Sequence, residues 1–425
     1  MSPVVSSFAF TNRWTVAWTL LAATTLNFLD RQTLAVIAPQ VQRDLGISSI
    51  GYAAVLNSFL TVYAVMYLLS GRIVDFLGTR RGLGFAIIWW SVAQLLHAFA
   101  HDLVSLCVLR ALLAVGEAAI IPSCVKAVAE WFEPRERSTA VCIFETGLSI
   151  GPILAQPLVA WIALHQGWRS AFLYTGSAGF VMAAWWLLRY ATPAEVKPAV
   201  AGDSRAPMAP RATGGAWRQL IASRAIWGVA VTRIFGDPVW HFYMGWLPKY
   251  FAEAKGLKLA ESAAYLWIPF FAQMLGGLFG AWLAHRMIRR GAAPVAALYR
   301  IMLLSTPIIS IGVLTIYAES LWLGILAVSV GGFALQVWGV SVETLPAEIF
   351  PAERVAAGVG LCGMLGTLGG VAFTAVTGYL VQHYSYTPVW FLSAVLCPVG
   401  WFVGWLLLRR NAPAAPASGP VAAQA

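Results

Sequence analysis

Charged side chains occur inside otherwise apolar stretches of this sequence, and they are the residues best suited to chemistry. Asp30 and Arg31 share one stretch, and Arg110 and Glu117 share another. An ionisable group inside an apolar membrane segment costs on the order of 2.5 kcal/mol or more, so it generally faces a partner or a wet cavity. A guanidinium offers a planar fork to a carboxylate, and a buried carboxyl can carry a proton. These four residues are therefore the first candidates for a functional site.

Their spacing indicates which of them can meet. Arg110 and Glu117 are seven residues apart, which places them on one helical face about 10 Å apart along the axis. They are too far apart to pair, so we expect each to find its partner on another helix, most suitably in the segment 27–31. Arg31 and Arg110 are predicted to bind an anion, and Asp30 and Glu117 to carry protons. The alternative is that these charges are structural ion pairs that tie helices together.

The same four charges predict coupling between an anion and protons. With both acids ionised the site is about neutral, and with both protonated it is positive and attracts an anion. Glu145 is a third predicted proton carrier. Arg233 and Asp237, four residues apart on one helix, can pair with each other.

Further polar residues are assigned to the cavity or to gating. Of Trp240, His241 and Tyr243 we expect one to touch the ligand, and His241 is also a weak proton-relay candidate. Lys126 is expected to extend its amine toward the membrane surface. The predicted substrate-binding residues besides the two arginines are Tyr63, Trp240, Tyr243 and Gln336, and the predicted gating or structural residues are Asp75, Arg80, Arg81, Arg233 and Asp237.

The elements that position these residues are membrane helices. The 425-residue chain is 59% hydrophobic and only 11% charged, with a mean hydropathy of +0.72, whereas a water-soluble domain has roughly a quarter charged residues. Apolar runs near the 20 residues that span a bilayer recur throughout. The sequence predicts an all-α membrane protein with twelve helices, near 14–38, 52–70, 83–101, 104–129, 138–163, 169–189, 225–251, 262–284, 294–317, 320–344, 355–380 and 387–408.

The helices divide into two sets of six. Residues 190–224 are rich in Pro and Gly and are predicted to be a cytoplasmic linker between an N-terminal bundle, 1–189, and a C-terminal bundle, 225–410. Residues 411–425 are predicted to be a disordered cytoplasmic tail. A basic turn at 71–81 recurs at 280–290, which indicates a duplicated unit. Glycines in helices five, eight and eleven are expected to allow close helix contacts.

Charge and cysteine usage exclude several classes. The net charge of +10 comes from Lys and Arg in the joints between spans, mostly on one side, which fits membrane topology better than nucleic-acid binding. That side should face the cytoplasm, with both termini. The five cysteines lie in apolar segments without metal-ligand spacing. We expect no metal, no cofactor and no enzymatic activity.

Two groups of residues resemble known families. Gly71, Asp75, Gly78, Arg80 and Arg81 are similar to the loop signature of the major facilitator superfamily. The segments 27–31, 110–122 and 126–137 resemble the anion:cation symporters, which include hexuronate and galactonate-type carriers. The resemblance implies proton-driven uptake of an aldonate or uronate across the bacterial inner membrane.

The resemblance also assigns roles and leaves the substrate open. It implies that Asp30 and Glu117 titrate and that Arg31 and Arg110 lie near the substrate carboxylate. Hexuronate carriers lack an acid at the position of Asp30, whereas galactonate-type carriers have one. Glu145 stands where such carriers tend to have Asn.

Other readings remain. The chain is alternatively a carrier of another carboxylate, such as tartrate or phthalate, or an exporter of drugs or cations, although three arginines in the spans argue against a cation site. A membrane enzyme or a substrate sensor is less suitable, because no nucleophile motif or appended soluble domain is found. We expect the partners to be a small organic anion, protons and lipid, and the unit to be a monomer.

Overall fold

The computed structural model describes Phe10 and residues 12–192, 221–350 and 352–409, and within these ranges the regular structure is helical. The predicted tail 411–425 and residues 193–220 of the predicted linker lie outside the described residues. The helices are α1 (Arg13–Leu45), α2 (Ser49–Leu77), α3 (Thr79–Leu96), α4 (Leu103–Trp131), α5 (Pro134–Gln166), α6 (Trp168–Arg189), α7 (Arg224–Ala254), α8 (Leu259–Arg289), α9 (Pro294–Ser310), α10 (Leu321–Ile349), α11 (Ala352–His383) and α12 (Thr387–Arg409).

The twelve helices confirm the predicted all-α fold. Ten of them are long and apolar enough to cross a membrane by length and composition alone. The two that do not meet this criterion are α1 and α7. α1 carries Asp30 and Arg31, and α7 carries Arg233 and Asp237. Charge inside a span lowers its apolar character, although α4 meets the criterion while it carries the buried Arg110 and Glu117.

Two of the helices are interrupted, and proline explains both breaks. α4 consists of Leu103–Glu117 and Ile120–Trp131, and α8 consists of Leu259–Tyr265 and Trp267–Arg289. Pro122 lacks the amide that would bond to the carbonyl four residues earlier, at Ala118, and its ring crowds that carbonyl. Pro269 has the same relation to Tyr265. The break in α4 follows directly after Glu117.

The two sets of six helices pack in the same pattern. In the first half α1 packs on α5, α2 on α4 and α3 on α6; in the second half the corresponding pairs are α7 with α11, α8 with α10 and α9 with α12. The halves meet along α2 with α11, α5 with α8, and α1 with α7. The repeat seen in the sequence is therefore a repeat of packing, as in many secondary transporters.

The two ends of the molecule differ. We call the end that carries Arg80, Arg81, Arg289 and Arg290 the basic end, and the end that carries residues 46–48, 255–258 and 384–386 the opposite end. At the basic end, α2 is capped by Gly78, with φ of 78°, and α8 is followed two residues after its last residue by Gly291, with φ of 91°; this backbone favours residues without a Cβ.

Within the described ranges, three hydrogen bonds join the halves, and all lie toward the opposite end. They are Tyr52 hydroxyl to Gly245 carbonyl at 2.7 Å, Lys249 Nζ to Ser49 Oγ at 3.2 Å and Ile50 amide to Gln382 Oε1 at 3.0 Å.

Close contact between α1 and α5 depends on Gly151. A Cβ there would approach the Thr25 carbonyl oxygen at 2.6 Å and the Leu29 amide at 2.8 Å. We therefore expect Gly151→Ala to destabilise the protein by about 1–3 kcal/mol through overpacking. The measurement is the thermal unfolding of purified protein. Gly339→Ala is the matched control, because a Cβ at Gly339 would meet nothing within 4 Å; equal melting temperatures for the two variants would contradict the assigned contact.

Candidate functional site

An ion pair between α1 and α4 forms the centre of the candidate site. Arg31 Nε donates to Glu117 Oε2 at 2.9 Å, and the side chains are 12% and 0% exposed. Glu117 reaches this position because α4 breaks directly after it, at Ala118 and Ala119. The expectation that Glu117 finds its partner in the segment 27–31 is met by this contact.

Arg110 lies beside the pair and is not neutralised by direct contact. Its side chain is buried, and neither Nε nor Nη1 has a hydrogen-bond partner among the described residues. It forms no ion pair with Glu117 within that part of the chain, as the spacing predicted. Arg31 Nη2 and Glu117 Oε1 are likewise without a hydrogen-bond partner there. Both guanidinium groups therefore lie near one carboxylate, but only Arg31 contacts it.

Aromatic rings hold the guanidinium groups in place. The Arg31 guanidinium carbon lies 4.5 Å from the centre of the Phe28 ring, 4.9 Å from Phe59 and 4.6 Å from Tyr63. Arg110 lies 5.0 Å from the same Phe59 ring. The quadrupole of a ring face attracts a cation, and more strongly where water is excluded. Tyr63, which is predicted to bind substrate, contacts Arg31 in this way, whereas Phe28 and Phe59 were not foreseen.

Asp30 lies apart from the arginines. It is fully buried on the side of α1 that faces α3 and α6, with the Thr175 hydroxyl as a polar neighbour. Gln94 Nε2 donates to the Asp30 backbone oxygen at 3.2 Å and to Thr175 Oγ1 at 2.9 Å. No ion pair joins Asp30 to Arg31 or Arg110 within the described residues. The expected pairing of Arg110 with the segment 27–31 is therefore not found.

The second half brings only some of the predicted residues to this centre. Trp240 of α7 packs in a cluster with Phe28, whose ring contacts Arg31. Tyr243, expected in the cavity, instead points into the second half, where its hydroxyl faces Gly312 and Gly331. Gln336 of α10 lies against Gly277 of α8.

Arg233 and Asp237 pair on their own helix, as their spacing allows. Arg233 Nη2 lies 2.8 Å from Asp237 Oδ2, and Nε lies 3.0 Å from the same oxygen. His241 makes a 2.8 Å hydrogen bond from Nδ1 to the Asp237 carbonyl. This pairing supports a structural role for the two charges.

Glu343 of α10 is a charged neighbour of that pair, and the sequence analysis missed it. It is the penultimate residue of the predicted helix 320–344. An acid near a helix end is common and does not by itself indicate a functional site. Glu145 of α5 has Glu343 as its charged neighbour across the halves, and both side chains are exposed. The structure therefore does not bring Glu145 to Arg31 and Arg110.

The predicted gating residues lie at the basic end. Asp75 Oδ1 accepts a bond from Lys126 Nζ at 3.0 Å, which joins α2 to α4. Lys126, which was expected to extend its amine toward the membrane surface, reaches the basic end and pairs there with Asp75. Arg80 donates to the Leu187 carbonyl near the end of α6, from Nε at 3.0 Å and Nη2 at 2.5 Å. Arg81 is exposed.

Twelve helices in two equivalently packed halves, with buried charges in the interior, are the architecture of a multi-pass membrane transporter. The chain belongs to the Major Facilitator Superfamily, which its residues 20–303 match.

Individual relatives agree with this assignment. The chain is 29% identical to a hexuronate transporter of Escherichia coli (strain K12) over 95% of both chains. It is 33% identical to a galacturonate transporter of Dickeya chrysanthemi over 64% of this chain and 81% of the other. Its fold is similar to the inward-facing, occupied crystal structure of a bacterial homolog of the human lysosomal transporter Spinster, with a TM-score of 0.79 at 17% identity over 96% of this chain and 100% of that chain.

The ion pair predicts a stability test. Glu117→Ala leaves Arg31 and Arg110 as uncompensated buried cations and should destabilise the protein by about 3–5 kcal/mol. Glu117→Ala combined with Arg31→Met should recover most of that loss in thermal unfolding. The control is Glu136→Ala, which breaks the partly exposed pair with Arg13 and should cost about 1 kcal/mol or less. Equal losses for Glu117→Ala and Glu136→Ala would rule out a buried pair.

Proposed function

We propose that this chain imports a sugar acid, such as a hexuronate, by proton symport through alternating access. The observation that carries the proposal is the buried ion pair of Arg31 with Glu117, beside a second buried guanidinium, Arg110, that is unpaired among the described residues. Two buried cations beside one titratable acid suit a substrate with a carboxylate. Once Glu117 is protonated, the substrate carboxylate can replace it as the partner of Arg31. The names of the relatives supply the sugar-acid class.

The ion pair suggests how a proton and an anion travel together. A proton on Glu117 neutralises the carboxylate and weakens its hold on Arg31. Arg31 Nη2 and Arg110 Nε and Nη1, which have no hydrogen-bond partner among the described residues, then bind the substrate carboxylate. Loss of the proton restores the competing carboxylate and favours release of the substrate. Asp30, buried behind α1, is the second proposed proton carrier, and Glu145 remains a proposed third.

The other predicted residues take supporting roles in this proposal. Tyr63 and Trp240 line the substrate site, and Asp75, Arg80 and Arg81 hold the helices together at the basic end. We place the basic end and both termini in the cytoplasm of a bacterial inner membrane, because Lys and Arg are enriched in cytoplasmic loops. The hydrogen bonds between the halves near the opposite end support an inward-facing state, and the proposed functional unit is a monomer.

Uptake into proteoliposomes tests the proposal directly. D-galacturonate and D-galactonate uptake should rise when the outside is made acidic and collapse when an uncoupler removes the proton gradient. Arg110→Ala should lower uptake at least about a hundredfold, since a charge-assisted bidentate contact contributes about 3 kcal/mol. The control is Arg169→Ala, an exposed arginine at the opposite end, which should retain uptake. Uptake that is indifferent to an imposed pH gradient would instead describe a facilitator.

Glu117→Gln separates exchange from accumulation. The amide is uncharged at every pH and so imitates the protonated acid. We expect the variant to exchange labelled for unlabelled substrate in counterflow while it loses uphill accumulation driven by the proton gradient. Normal accumulation by Glu117→Gln would remove Glu117 from the proton path.

A further inference from the structure

A cavity lined by both polar and apolar side chains lies between the two halves at the opposite end, away from Arg31 and Arg110. We propose that it is an outer binding site for the same chemical class as the transported substrate, a hydroxylated carboxylate. The cavity has a volume of about 660 Å³, a size typical of small-molecule sites. It lies where α1 and α7 end and where α2 and α8 begin. We call it the outer pocket.

The charge of the outer pocket favours an anion. Arg43 and Lys258 line it, both side chains are exposed, and neither has an ion-pair partner among the described residues. Glu253 is the acid in the lining, and its Oε2 is already bound by Lys249 Nζ at 2.5 Å and by the Tyr386 hydroxyl at 2.6 Å. The two uncompensated charges of the pocket are therefore positive.

The remaining lining suits a ligand with several hydroxyl groups. The Gln40 side-chain amide makes no hydrogen bond within the described residues, and the hydroxyls of Ser48, Ser49 and Ser262 also line the pocket. Amides and hydroxyls both donate and accept, so they can bond to sugar hydroxyls in either direction. Two helices begin here and two end here, so their dipoles oppose one another and the side chains decide the sign of the potential.

The outer pocket adjoins the contacts that close the opposite end. Lys249, which binds Glu253, is fully buried and also donates to Ser49 across the halves at 3.2 Å. Tyr52 also joins the halves here, because its hydroxyl donates to the Gly245 carbonyl at 2.7 Å. An anion in the outer pocket is thus separated from Arg110 by these closed contacts. The pocket is the place where an anion arriving at the opposite end is held before the halves part.

Cysteine labelling tests this site separately from the central one. Ala252, half-buried in the lining, is changed to cysteine in a chain whose Cys107 and Cys142 are replaced by serine. The purified protein is labelled with the anionic reagent 2-sulfonatoethyl methanethiosulfonate. D-galacturonate should slow the labelling in proportion to the free fraction of the site, about tenfold at about ten times its dissociation constant. D-galactose, which lacks the carboxylate, should not slow it.

Arginine variants assign the protection to the outer pocket. Protection should persist in Arg110→Ala, which removes the central cation. It should disappear in the double variant Arg43→Gln with Lys258→Gln and remain in Arg169→Gln, an exposed arginine at the same end outside the lining. Protection that is lost in Arg110→Ala, or that survives the double variant, would overturn the proposal.

The outer site rests on the substrate class of the proposed function, but different results contradict the outer site and the proposed transport. Uptake without protection of Ala252→Cys removes the outer site and leaves the proposed transport intact. Protection without uptake keeps the outer site and removes the proposed transport.

Discussion

The organisation of this molecule depends on the cost of placing Arg31, Arg110 and Glu117 inside a membrane. Each isolated charge would oppose insertion by several kcal/mol, so the structure compensates each in a different way. Glu117 meets Arg31 at 2.9 Å, and Arg110 rests on the ring of Phe59 at 5.0 Å. The geometry that permits this includes the break in α4 after Glu117 and the close packing of α1 on α5 at Gly151. The packing of the helices and the geometry of the charged centre therefore depend on each other.

Compensation of two cations by one acid leaves the centre with an excess positive charge. If Asp30 also faced the arginines, two acids would balance two cations. The pairs would then hold the helices together, and no positive charge would remain to bind an anion. Instead Asp30 lies behind α1 beside Thr175 and Gln94. On the proposed function, that separation leaves the arginines able to bind an anion, while Glu117 and Asp30 carry protons.

The sequence predicted the parts of this arrangement that follow from spacing. Seven residues between Arg110 and Glu117 excluded a direct pair, and four between Arg233 and Asp237 allowed one. Residues whose role depends on which neighbour they face were not predictable. In the sequence Phe59 cannot be distinguished from any other aromatic residue of a membrane helix; only the structure shows two guanidinium groups on its ring. Tyr243 was placed in the cavity because the sequence does not show which side of its helix faces the second half. Glu343 and Lys249 lie near helix ends, where charge is ordinary, so only tertiary contacts mark them as buried or interacting.

The two halves are equivalent in packing but not in charge. Cations line the outer pocket and the centre, whereas Glu145, Glu343 and Asp237 are charged neighbours around Arg233 on the basic side of the centre. Like charges repel across a partly desolvated space more strongly than in water, so this acidic region opposes the passage of an anion equally in both directions. A fixed distribution of charge therefore gives transport no direction of its own. On the proposed function, the proton gradient sets the direction, and the unequal charges set where along the path the anion is held.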